Sequence, residues 1–213
     1  MRVLIVVNGD PPSESVLATL APQVEKIFVV DGAANSFNDK FKPDVICGDF
    51  DSIDQSLVSK RFPSAEFIKL SNQDLNDLEK TVALARERGA TDIHILGAFG
   101  KRIDQELGAL MLNMKLHQEI AITMYSQQEK IIMLSPGCVR AGKYSVDLPS
   151  GQIVSLIAFF TTAVVSLSGV KWRLENHSLT LGSGGLSNCA LGGEIALVVH
   201  KGVTAFTLPF LLK

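Results

Sequence analysis

The chain has 213 residues, with 20 Lys and Arg against 22 Asp and Glu and a formal net charge of −2. That balance argues against a polybasic nucleic-acid binder and against an acidic disordered tail, while 46% hydrophobic residues can fill a core. Three cysteines (Cys47, Cys138, Cys189) without a C-x-x-C pair argue against a disulfide scaffold or a thiolate zinc site, and a reducing, cytoplasmic setting is expected. The opening MRVLIVVNGD has too short an apolar run for a secretion signal.

In chain order, short apolar runs read as buried strands: RVLIVV (2–7), KIFVV (26–30), DVIC (44–47), EFIKL (66–70), DIHIL (92–96) and EIAITMY (119–125). Helix-like stretches separate them: SESVLATLAPQV, AANSFNDK, SLVSKRF, LEKTVALARERG and DQELGALMLNMKLH. This alternation predicts a mainly parallel α/β sheet over residues 1–127, covered on both faces, with ligands at the carboxyl ends of its strands. From residue 128 the pattern changes. EKIIMLS, KYSVDLP, QIVSLIAFF, AVVSLS, SLTLG, EIALVVH and VTAFTLP are β-type runs split by Gly and Pro turn signals, which predicts an all-β domain, a sandwich or barrel, over 128–213. Residues 148–170 carry no charge and approach the ~18-residue threshold of a membrane helix. They are rich in strand formers, and Thr161-Thr162 can split them into two buried strands, so no membrane span is expected.

The chemistry-bearing residues cluster after the strands. Asp31 follows KIFVV, Asp49 and Asp51 lie in CGDFDS after DVIC, Asp77 immediately precedes LEKTVALARERG, and Asp104 follows GAFGKRI. In a parallel sheet these ends share one edge. Carboxylates crowded there repel one another unless a cation is present, and Mg²⁺ joins carboxylates to substrate phosphates. On an extended backbone Asp49 and Asp51 point to one side and Phe50 to the other. The competing reading is that Asp51-Ser52 merely caps a helix. Asn76 reads as an N-cap with Glu79 three residues on. Asp77 and Lys80 share a helix face, either in a site or as a solvated surface pair. GAFGKRIDQ offers backbone N–H groups with Lys101 and Arg102 for a phosphate, yet it is not a P-loop, and no G-x-G-x-x-G follows the first strand. The four histidines show no zinc spacing. Trp172, the single Trp, can stack on an aromatic ligand or pack in a core, and Ser187-Asn188 lies in a Gly-rich loop.

Taken in order, VVDGAANSF, PDVICGDFDSI, NQDLNDLEKTV, GAFGKRIDQELGAL, GVKWRLEN and GLSN resemble the thiamine pyrophosphokinase family along almost the whole chain. The resemblance implies an α/β nucleotide-binding domain, a C-terminal β-sandwich, a homodimer, and ATP with Mg²⁺. It implies pyrophosphoryl transfer from ATP to the thiamine hydroxyl with release of AMP. By the same resemblance Asp31, Asp49, Asp51 and Asp77 surround the metal, and Gln73, Lys80, Arg102 and Asp104 lie near the nucleotide. Asn8, at the end of the first strand, is assigned with them to nucleotide binding. Asp49, Asp51, Asp77 and Arg102 are the expected catalytic set. Trp172, Ser187 and Asn188 are expected in a thiamine pocket at the dimer interface. The chain departs from the family pattern at Ala33, Asn76 and Lys101, none of them a metal carboxylate. Two alternatives stand beside this reading: a pyrophosphokinase for another alcohol, such as a hydroxymethylpterin, and a non-catalytic nucleotide or thiamine sensor.

Overall fold

The computed structural model describes residues 1–72 and 74–210. The chain forms two compact units, one of residues 1–112 with 124–127, the other of residues 113–123 with 128–210.

The first unit runs β1 (Arg2–Val6), α1 (Glu14–Leu20), a 3₁₀ turn (Ala21–Gln23), β2 (Lys26–Val30), α2 (Ala33–Ser36), β3 (Val45–Gly48), α3 (Gln55–Arg61), β4 (Glu66–Lys69), α4 (Asp77–Glu87), β5 (Asp92–Leu96) and α5 (Ile103–Leu116). The last turn of α5 and the first part of β6 (Ala121–Tyr125) fall in the second unit. Strands β5-β1-β2-β3-β4 are neighbours in that order, and every pair among them is parallel. β1, β2, β3 and β5 bury nearly every residue. This is why they read in sequence as unbroken apolar runs rather than alternating ones. The chain winds outward from β1 to β4, then places β5 on the other flank of β1. The strand order therefore reverses between β1 and β5, and the loops leaving these two strands open a crevice.

The helices start where capping chemistry allows. Ser13, Asp54 and Asn76 accept hydrogen bonds from the N–H groups of Val16, Leu57 and Glu79, starting α1, α3 and α4. AANSFNDK makes only one helical turn. Its carbonyls at Ala34, Asn35 and Phe37 instead accept from the Arg61 guanidinium at 3.0, 2.8 and 2.6 Å, which ends the helix early.

The second unit adds β7 (Glu129–Leu134), β8 (Lys143–Leu148), β9 (Ile153–Ala158), β10 (Ala163–Ser168), β11 (Leu174–Leu179), β12 (Asn188–Cys189), β13 (Gly193–Lys201) and β14 (Thr204–Pro209). β12-β9-β14-β7 form one antiparallel layer and β11-β10-β13-β8 another. Burial alternates along β9, β10 and β13, and the inward sets share one core with Val154, Leu156 and Phe206 from the first layer and Val165, Leu167, Ile195 and Leu197 from the second. This is a β-sandwich. The charge-free stretch resolves into β9 and β10 with Thr161-Thr162 between them, and among the described residues no helix is long and apolar enough to cross a membrane. The strand expected at SLTLG lies earlier, over Leu174–Leu179, because Leu174 and Leu179 pair with Leu167 and Ala163 of β10.

Candidate active site

The carboxylates converge at the carboxyl edge of the parallel sheet. Asp31 follows β2 in a left-handed conformation (φ 41°), and its N–H donates to Cys47 O at 2.8 Å. Asp49 and Asp51 come together by a route that spacing did not suggest. The loop is not extended: Phe50 has φ 65°, and the Asp51 N–H donates to Asp49 Oδ1 at 3.2 Å. Phe50 still anchors the loop, half-buried with its ring 6.2 Å from that of Phe67. One carboxylate oxygen each from Asp31, Asp49 and Asp51 lies within 4.8 Å of the others. Gly48 makes this approach possible, because at its φ of 152° a Cβ would stand 2.7 Å from Asp31 Cβ.

These three residues fit a hard divalent cation such as Mg²⁺. Asp31 is buried, and among the described residues its Oδ1 has no hydrogen-bond partner. Burial pushes its carboxyl above the usual range, and the charges of Asp77 and Asp49 add to that, against the Gly32 N–H and the Ser52 hydroxyl. Three oxygen donors, one of them orphaned and desolvated, form the hard ligand set that such an ion takes. Asp51 is not a bare helix cap: it accepts from Ser52 Oγ at 2.6 Å, and the cap of α3 is Asp54.

Beside the trio lies a cavity of about 480 Å³, lined in part by Asn8, Asp31, Asp49, Asp77, Lys80 and Arg102. Asp77 and Lys80 are not a solvated pair. The Lys80 side chain is 7% exposed, and its Nζ stands 2.6 Å from Asp77 Oδ1. Asp77 faces the same cavity but lies outside the converging trio. Arg102 lines the cavity, whereas Asp104, its ion-pair partner at 2.6 Å, is exposed and does not. The guanidinium of Arg102 holds the Asp104 carboxyl below its ordinary range. Gln73 lies outside the described residues. Two contacts carried no sequence signal: Lys101 Nζ donates to Asn8 Oδ1 at 3.0 Å, joining the loops after β5 and β1, and Glu106 accepts from the Gly100 N–H at 2.8 Å. Both residues also line the cavity. The result is an edge that pairs a metal-type carboxylate cluster with three cations, a setting suited to a polyphosphate.

In the second unit Trp172, Ser187 and Asn188 sit together. Trp172 is 55% exposed rather than in the core, with Lys171 Nζ 4.7 Å from its ring centroid. Asn188 is buried, and its side chain accepts from the Trp172 N–H at 3.1 Å and donates to Trp172 O at 2.7 Å. Its amide therefore fixes the Trp172 backbone. Ser187 has φ 60° and donates its N–H to Ser155 Oγ at 3.0 Å.

Both regions match known proteins. Residues 17–124 match the model of the thiamin pyrophosphokinase catalytic domain, and residues 143–204 match that of the thiamin pyrophosphokinase vitamin B1 binding domain. Thiamin pyrophosphokinase 1 of Caenorhabditis elegans is 25% identical over 195 residues, 84% of this chain and 77% of that protein. Thiamine pyrophosphokinase of Bacillus subtilis (strain 168) is 30% identical over 142 residues, 64% of each chain. Among solved structures, the fold is that of thiamine pyrophosphokinase from Bacillus subtilis (TM-score 0.83, 24% identity, covering 98% of this chain and 99% of that one). It is also that of yeast thiamin pyrophosphokinase (TM-score 0.80, 17% identity, covering 99% and 86%). With the carboxylate edge lying inside the first matched region and the exposed Trp inside the second, the chain belongs to the thiamin pyrophosphokinase family.

Proposed function

We propose that the protein transfers the pyrophosphoryl group of ATP to the hydroxyl of thiamine, giving thiamine diphosphate and AMP. The observation that carries this reading is the cavity that Asp31 and Asp49 line beside Lys80, Lys101 and Arg102, with an Asp51 oxygen within 4.8 Å of theirs. Asp31, Asp49 and Asp51 would hold Mg²⁺, with Asp77 at the wall beside it. When bound, the ion neutralises the triphosphate and polarises the bond to the leaving AMP. Arg102 and Lys101 add positive charge where the β- and γ-phosphates lie, and Lys80 pairs with Asp77 at the cavity wall. The thiamine hydroxyl is a weak nucleophile, so a nearby carboxylate accepts its proton as the new P–O bond forms. Asp49 and Asp77 are the candidates. Asp104 holds Arg102 at the mouth of the site, and Asn8 completes the nucleotide contacts; Gln73, outside the described residues, is assigned the same role by the family resemblance alone.

Thiamine is a cationic aromatic ligand, and Trp172 presents it an exposed ring. Ser187 and Asn188 shape that surface. A homodimer in which each carboxylate site faces the partner subunit's Trp172 would give two equivalent shared sites. Exposed apolar side chains on both units, Ile103, Leu107 and Met111 along α5 and Leu186 and Leu191 near Trp172, support such an assembly. A cytoplasmic location fits the three unpaired cysteines.

The test is to incubate the protein with ATP, Mg²⁺ and thiamine and to follow nucleotide and thiamine products. AMP and thiamine diphosphate in equal amounts are expected. ADP as the nucleotide product, or AMP formation that ignores thiamine, rejects the reading. A hydroxymethylpterin in place of thiamine checks the nearest alternative.

A further inference from the structure

Asn35 lies outside the cavity, exposed near the end of α2, yet its amide reaches the loop that carries two of the three converging carboxylates. Its Nδ2 donates to Ser52 O at 2.8 Å, and its Oδ1 accepts from the Asp54 N–H at 3.3 Å. We propose that Asn35 is a positioning residue for the metal site, a two-pronged clamp that holds the 49–54 loop so that Asp49 and Asp51 face Asp31. The inference rests on reading those three residues as the metal ligands.

The geometry gives the clamp a task. Asp31 and Asn35 lie four residues apart, and each ties its segment to the loop region: Asp31 through its N–H to Cys47 O, Asn35 through its side chain to Ser52 and Asp54. Asp49 and Asp51 fall between the two ties. Three forces push this stretch open. The three carboxylates repel one another within 4.8 Å, Phe50 is held at φ 65°, and Asp31 at φ 41°. The half-buried Phe50 is the loop's anchor against them, since Asp51 and Ser52 are exposed. The clamp is itself anchored. Arg61 donates to Asn35 O at 2.8 Å and is ion-paired to Asp39 at 2.6 Å, so the backbone that carries Asn35 is fixed from the other side. The carboxamide offers a donor and an acceptor on two separate atoms, and these two contacts use one each.

The experiment titrates Mn²⁺ into the full chain without nucleotide or thiamine and reads free Mn²⁺ by electron paramagnetic resonance, with a metal-free melting curve for each variant. Asn35→Ala should bind Mn²⁺ about ten-fold more weakly, at the lower end of what losing a supporting contact around a metal site costs. Its metal-free melting temperature should stay close to that of the unaltered chain. Asn35→Gln, which keeps the amide, should recover part of the affinity. Asn35→Ser reaches neither partner and should repeat the loss if the Ala chain folds poorly. Asp49→Asn separates the two ideas. If it binds Mn²⁺ as tightly as the unaltered chain, the metal reading falls, and this inference with it. If Asp49→Asn abolishes binding while Asn35→Ala and Asn35→Ser bind normally, the clamp alone is overturned.

Discussion

Lys80 is a charged side chain held out of water, and removing its charge while keeping its bulk tests how the cavity wall is built. In Lys80→Met the stem still packs, but Asp77 loses the ammonium 2.6 Å from its Oδ1, and Leu70 O loses its donor at 3.3 Å. Breaking a fully buried pair costs about 3–5 kcal/mol and an exposed one about 0–1 kcal/mol. Lys80 is 7% exposed and Asp77 30%, so water reaches one partner only. The expected loss is therefore intermediate, about 2 kcal/mol. For a chain of this size that lowers the melting temperature by roughly 4–8 °C. The orphaned Asp77 carboxylate then adds to the negative charge already acting on Asp31, so Mg²⁺ should raise the melting temperature of Lys80→Met more than that of the unaltered chain. Asp77→Asn combined with Lys80→Met removes the unpaired charge and should regain part of the loss, the signature of coupling in a double-mutant cycle. Thermal melts with and without Mg²⁺ read all of this. If Lys80→Met melts with the unaltered chain, or the double variant melts as low as the single one, the pair does not hold the wall as argued.

Asp49→Asn and Asp51→Asn should each cut turnover at least ~100-fold with circular dichroism unchanged, and full turnover of both at limiting Mg²⁺ rejects their metal role. Arg102→Ala should raise the ATP concentration needed for half-maximal rate. Lys101→Gly, which mainly frees Asn8, should do less, and the reverse ranking in steady-state kinetics moves the phosphate contact to Lys101. Burial pushes the Cys47 thiol up to about 11, so at pH 8 it stays protonated and should resist Ellman's reagent until the chain is unfolded; labelling of Cys47 in a native Cys189→Ser chain contradicts this. Asp49→Asn and Trp172→Ala chains, each inactive, should regain activity when refolded together, and confirmed subunit exchange without activity rejects shared sites.

Much of the fold was readable because each unit announces its own burial pattern. Burial on both faces makes β1, β2, β3 and β5 apolar without interruption, and KIFVV and DIHIL fall on the strands to the residue. One face wet and one dry makes β9, β10 and β13 alternate, which separated them from a membrane helix of similar hydropathy. What failed was set by partners far along the chain. Helix propensity could not foresee that the Arg61 guanidinium would take three carbonyls after α2. Two-residue β12 is defined only by its pairing with β9.

The candidate site divides along the same line. Residue type and place after a strand brought Asp31, Asp49 and Asp51 to one edge, because topology alone puts all parallel strand ends together. The way they meet was not readable: spacing predicted an extended backbone, whereas a left-handed Phe50 and an Asp49 side-chain turn fold the loop. Local sequence can say which groups are able to bind; it cannot say which are already spent. Asn188 shows the difference. As a sequence position it is a hydrogen-bonding group in a Gly-rich loop, available to a ligand. In the fold its amide is committed to both backbone groups of Trp172. Any influence of Asn188 on substrate affinity must then run through the placement of the Trp172 ring. Replacing it should disturb thiamine binding in the same sense as displacing that ring, while leaving the carboxylate edge and its metal affinity intact.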